Sequence, residues 1–101
     1  MALTLNDRFF LRGSTVHMRV RVSEPGTKRP ADATVALTSL KRGAVVVPVD
    51  NPTFSRINQG DHLLVLPTAD LTPSTYEVVV TVSDGPSKVT VLTDRFVVKD
   101  L

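Results

Sequence analysis

The chain has 101 residues, 42% of them hydrophobic and 22% charged, with a formal net charge of +2 and no cysteine. That length fits a single domain, residues 1–101, whose core is large enough to stand without staples. The composition excludes a disordered chain, a disulfide scaffold and thiolate chemistry, and the small positive charge acts on solubility and is no nucleic-acid footprint.

Apolar residues recur at every second position, the period of a strand, and valine and threonine dominate. The first predicted strand surrounds Arg8-Phe9-Phe10-Leu11 and closes at Arg12-Gly13. Whether Ala2 to Asn6 pair in a sheet or form a free arm is open at this point. The second strand runs from Thr15 to Val22, with Val16, Met18, Val20 and Val22 on one face and Thr15, His17, Arg19 and Arg21 on the other. Glu24-Pro25-Gly26-Thr27 marks a turn, because Pro presets φ and Gly accepts positive φ.

A third strand spans Thr34 to Leu40 with Val35 and Leu37 inward, and Lys41-Arg42-Gly43 is a short connection. Ala44 to Val49 is nearly all apolar. Its Pro48 marks an edge strand or a strand end, and the lack of alternation in Val45-Val46-Val47 predicts cover on both faces. Val46 is therefore a candidate contact residue. Asn51-Pro52 is a turn, Thr53 to Ile57 a short strand around Phe54, and Asn58-Gln59-Gly60-Asp61 a further turn. His62 to Leu66 is a strand ended by Pro67, and Asp70 to Ser74 is a connection with room for one turn of 3₁₀ helix. Thr75 to Val82 carries the strongest alternation, with Tyr76, Val78, Val80 and Val82 on one face. After Ser83-Asp84-Gly85-Pro86, the last strand runs from Lys88 to Val98, with a bend or bulge expected near Thr93-Asp94. Seven or eight short antiparallel strands at this spacing define an all-β sandwich.

The residues offer little chemistry. His17 and His62 lie in different strands with no spacing for converging metal ligands, and both are expected at the surface. Asp50, Asp61, Asp70 and Asp84 sit at strand ends, where Asp favours turns, without the clustered carboxylates that calcium requires. There is no glycine-rich phosphate loop and no nucleophile elbow, so the chain reads as a non-enzyme without cofactor or metal. One Tyr, no Trp, and four Phe expected mostly inside leave no aromatic platform for nucleic acid or glycan. No apolar run approaches the ~20 residues of a membrane span, and the first residues lack a signal peptide's pattern. The stripe of His17, Arg19 and Arg21 has three readings. It is the wet side of a sheet, it faces a protein partner, since Arg pairs bidentately with carboxylates at interfaces, or it meets nucleic acid, a reading weakened by the missing aromatics.

The stretches "RGSTVHMRVRV", "ADATVALTSL", "LTPSTYEVVVTVSD" and "DRFVVKD" together resemble bacterial immunoglobulin-like domains of the macroglobulin type. Leu71-Thr72-Pro73-Ser74-Thr75-Tyr76 is similar to the tyrosine corner of immunoglobulin-like and fibronectin type III domains. Gly13, Tyr76, Phe96 and Val98 carry the match over most of the chain. Ser74 stands where that pattern has Gly, and the Trp and Cys pair of antibody domains are missing. The resemblance implies an immunoglobulin-like β-sandwich with structural roles for Leu71, Pro73 and Tyr76.

The expected function is a non-catalytic structural or interaction module of a larger assembly, a decoration or tail component of a phage or phage-like particle. It would be made in the cytoplasm and held by self-association or neighbouring subunits. The alternatives are a spacer domain excised from a bacterial envelope or adhesin protein, which would be extracellular, and a calcium- or glycan-binding module.

Overall fold

The computed structural model describes residues 2–23, 33–49, 54–83 and 89–100. They hold nine strands: β1 (Ala2–Leu5), β2 (Phe9–Leu11), β3 (Thr15–Arg21), β4 (Thr34–Arg42), β5 (Val45–Val47), β6 (Ser55–Asn58), β7 (Asp61–Pro67), β8 (Ser74–Ser83) and β9 (Val89–Lys99). A four-stranded sheet has the order β1-β3-β7-β6, and a five-stranded sheet the order β2-β9-β8-β4-β5. The all-β sandwich read from the sequence is the fold. Two details differ. There are nine strands among the described residues instead of seven or eight, and β2 runs parallel to β9, pairing Phe9 with Val97 and Leu11 with Lys99.

The extra strand, β1, comes from the chain's first residues. Ala2 to Leu5 pair with β3, and Asn6 prolongs that pairing with its side chain. Its Oδ1 accepts the His17 N–H at 2.8 Å while its own N–H donates to the His17 carbonyl at 3.2 Å. The backbone then crosses to the other sheet, where the Arg8 carbonyl accepts the Val97 N–H at 2.8 Å.

The core lies between the sheets and follows the alternation. Val16, Met18, Val20 and Val22 face Tyr76, Val78, Val80, Val82, Phe96 and Val98, all buried. Side chains of this size each contribute about 1.5–3 kcal/mol when fully removed from water. In β4 the inward positions are Val35, Leu37 and Leu40, a break in the period of two. A register shift between Leu37 and Ser39 explains it: one extra residue, Thr38, turns outward, where its hydroxyl meets that of Thr81. The bulge expected at Thr93-Asp94 is absent, since β9 pairs with β8 without a shift from Val89 to Val98. Asp94 breaks the apolar pattern because it stands at the sheet edge and accepts Arg8 Nη1 at 2.9 Å.

His62 is the clearest departure. It was expected at the surface, yet it is 4% exposed and its Nε2 has no hydrogen-bond partner. It shares the parity of Leu64 and Leu66, so the strand carries it inward with them. Ala44 to Val49 also differ. Only Val45–Val47 form a strand, and Val45 and Val46 are exposed on both sides of an edge and not covered. Phe54 is buried just ahead of β6, and Asp70 to Ser74 contain turns but no 3₁₀ helix. The expected turns at 24–27, 51–52 and 84–86, together with Asp50, Thr53 and Lys88, lie outside the described residues.

One buried polar residue ties two loops together. Thr68 is fully buried between β7 and β8. Its hydroxyl donates to the Ser14 carbonyl at 2.6 Å and accepts the Gly13 N–H at 3.0 Å. Gly13 has φ of 100°, which L side chains rarely adopt, so the loop that presents this N–H calls for glycine.

Candidate interaction face

The stripe on β3 is built by alternation. With Val16, Met18 and Val20 inside, Thr15, His17, Arg19 and Arg21 project from the outer face of the four-stranded sheet. Cross-strand partners share a face, so the register adds Thr4 from β1 beside Arg19, and Val65 and Leu63 from β7 beside His17 and Arg19. Ile57 joins from β6, where a register shift between Arg56 and Asn58 displaces it.

Arg19 is not a free cation. Its Nε donates to Asp61 Oδ1 at 2.7 Å, and its Nη2 donates to Asp61 Oδ2, a two-pronged pairing along the sheet. The hydrogen bond from Arg19 holds the Asp61 carboxyl below the usual carboxylate range, and the same contact raises the Arg19 guanidinium. The pairing that the sequence reading offered to a partner's carboxylate is thus made within the chain. Arg21 is exposed, and so is His17. The sheet surface beside His17 forms a groove of about 350 Å³ lined by Thr4, Leu5, Asn6, His17, Arg19, Ile57 and Leu63.

The Asp61 contact has a pH signature. A carboxyl held low in the folded state adds stability above its unfolded value, near about 3.9. That stability is lost as pH falls through the lowered folded value. Wild-type protein at low salt is therefore expected to lose more of its urea midpoint than Asp61→Asn does when the buffer goes from pH 5 toward pH 2. Parallel losses in the two proteins would show that the contact contributes nothing in solution.

Val46 lies elsewhere. It sits on β5 at the far edge of the five-stranded sheet, opposite Lys41, and is 61% exposed. The fold therefore brings His17, Arg19 and Arg21 together and places Val46 on the other layer. Leu71, Pro73 and Tyr76 form the corner before β8. Leu71 is buried and its N–H donates to the Thr68 carbonyl at 3.0 Å, Pro73 is exposed, and the Tyr76 hydroxyl donates to the Thr72 carbonyl at 2.5 Å.

Three apolar residues of the face escaped the sequence reading: Ile57, Leu63 and Val65. A signal for two of them was present. Leu63-Leu64-Val65-Leu66 is an unbroken apolar run, so β7 is apolar on both its inner and its outer side. Among the described residues no three His, Cys, Asp or Glu side chains converge as a metal site would need, and no helix is long and apolar enough to cross a membrane. The chain matches no family model and no curated protein.

Proposed function

We propose that this chain is a non-catalytic interaction module with an immunoglobulin-like sandwich, and that it meets a protein partner through the outer face of β1-β3-β7-β6. The observation that carries the reading is the composition of that face. Ile57 and Val65 are 52% and 49% exposed, Leu63 is half-buried, and His17, Arg19 and Arg21 border them. A face that only met water would alternate to polar residues at these positions. Apolar side chains rimmed by arginine are instead the make-up of a protein interface.

The immunoglobulin-like assignment is supported by strand order. One sheet of four strands pairs the first, third, seventh and sixth elements, and the other carries the remaining five. This matches an arrangement in which one sheet holds strands A, B, E and D and the other holds C, F and G with added edge strands. The Tyr76 hydroxyl bonded to the Thr72 carbonyl supports it a second time. The setting favoured by this reading is a larger protein assembly, such as a phage or phage-like particle.

The test uses direct binding. A partner retained by the wild-type chain from its host's lysate is identified by mass spectrometry, repurified and titrated against wild type and an Ile57→Glu/Val65→Glu double variant. The variant is expected to fold normally and to bind at least ten times more weakly. Equal binding would remove this face from the interaction.

A further inference from the structure

We propose that the edge of β9 from Val89 to Thr93 is the seat of a second copy of this chain. A two-fold axis at Val91 would let the five-stranded sheets of two molecules continue as one. This edge belongs to the sheet opposite the partner face above, and the proposal does not rest on that reading.

Backbone direction decides which groups are open. In an antiparallel strand, residues alternate between pointing N–H and C=O at one neighbour and at the other. The Val97 N–H donates to Arg8 and the Lys99 carbonyl accepts from the Arg12 N–H, both at 2.8 Å, so odd-numbered residues of β9 turn away from β8. β2 pairs with this edge only from Val97 to Lys99, and β1 of the other sheet lies close to β9 without pairing with it. One step earlier, the Arg95 N–H is capped by the Asp94 carboxylate at 2.8 Å, which also holds Arg8. That leaves Val89, Val91 and Thr93, whose outward N–H and C=O groups have no partner among the described residues.

The other edges are blunted in the ways that keep sheets from pairing. β5 is three residues long and runs into Pro48. β6 carries Arg56 and a register shift, and β1 is four residues long. Val89 to Thr93 contain no charge, proline or bulge, and Val89 and Val91 are 59% and 58% exposed.

The occupant follows from self-complementarity. With Val91 opposite Val91 of the second copy, Val89 meets Thr93 and Thr93 meets Val89. Every open backbone group then finds an open group, and the hydrogen-bonded pairs, Val91 with Val91 and Val89 with Thr93, are β-branched on both sides, which suits a pleated surface, while Thr90 meets Leu92 between them. Axes further along β9 are disfavoured. An axis at Asp94 or Arg95 would oppose like charges, and an axis at Leu92 would spend a pairing on Arg95, whose N–H is already engaged. A contact of this kind is isologous and closes at two copies.

The chain has no cysteine, so single-cysteine variants report the register. Hydrogen-bonded partners on antiparallel strands have Cα atoms about 5.5 Å apart, within the range of about 4.4–6.8 Å that a disulfide spans. Val91→Cys is expected to oxidise to a dimer. Thr93→Cys alone is expected to stay monomeric, and to cross-link when mixed with Val89→Cys. In sedimentation equilibrium the unmodified chain should rise from one chain mass toward two with concentration. Val91→Lys, a change at an exposed side chain, should remain at one chain mass with an unchanged melting curve. The proposal is overturned if the unmodified chain stays at one chain mass throughout. It is equally overturned if Val91→Cys cross-links no better than Thr93→Cys alone or than Val46→Cys on the far edge.

Discussion

Phe96→Ala is expected to destabilise the domain by about 3–5 kcal/mol, the cost of emptying a buried aromatic site. Phe96 is 1% exposed and joins three strands through its ring. It stacks on Tyr76 of β8 with centroids 5.4 Å apart and meets Phe10 of β2 edge-on at 5.7 Å. Such ring pairs add about 0.5–1.5 kcal/mol beyond the area they bury. A domain of this size has a stability of about 5–15 kcal/mol, so the loss would take a large share of the total. Urea unfolding followed by circular dichroism measures it. A cost below about 1 kcal/mol would mean that the three rings do not form a cluster in solution, since a packed site cannot collapse that completely.

Tyr76→Phe isolates the corner. The ring stays, with its stacking on Phe96, and only the hydroxyl goes. The Thr72 carbonyl then loses its donor, and because Thr72 is exposed and water can reach that oxygen, the cost is that of an ordinary intramolecular hydrogen bond, about 0.5–1.5 kcal/mol. The same urea experiment reads the total, and hydrogen exchange reads the place. The Leu71 amide, bonded to the Thr68 carbonyl within the same turn, should exchange faster in the variant. Wild-type stability together with wild-type exchange at Leu71 would show that the hydroxyl does not hold the corner.

The elements that were legible from the sequence are those whose two faces differ. β3 and β8 alternate without error, and their inward rows, Val16 to Val20 and Tyr76 to Val82, are the buried ones. Where a local event changes the parity, the pattern misleads. Thr38 is such a case: the register shift beside it restores Leu40 to the core, and no spacing rule separates that from a strand end. Asp94 is the converse. A charge within an apolar alternation reads as a bulge, yet the strand is regular and the charge is met by Arg8 from a segment distant in sequence. His62 was misread because a histidine beside an aspartate suggests a wet strand end, although parity alone places it with Leu64. Of the four Phe expected mostly inside, Phe10, Phe54 and Phe96 are buried and Phe9 is exposed, with the Lys99 ammonium 4.9 Å from its ring centroid.

The candidate face was legible only in part. His17, Arg19 and Arg21 follow from alternation on one strand. Their neighbours do not, because Leu63 and Val65 are brought beside them by a pairing across more than forty positions of chain, as in the bond from Arg19 to Asp61 with a separation of 42. Charge read along one strand could not reveal that Arg19 was already engaged by a partner on another.

The parallel pairing of β2 with β9 also sets how the domain would bear load. The chain enters near β2 and leaves from β9, and the two strands run side by side in the same direction. Tension applied at the two ends would drag them past each other along their length. The bonds from Val97 to Arg8 and from Arg12 to Lys99 would then be strained together instead of opening in succession. β1, paired antiparallel with β3, lies ahead of that junction and could be unzipped while the clasp held. The wiring of this sandwich thus loads the β2–β9 junction in shear, where its bonds share the force, and loads the β1–β3 pairing one bond at a time.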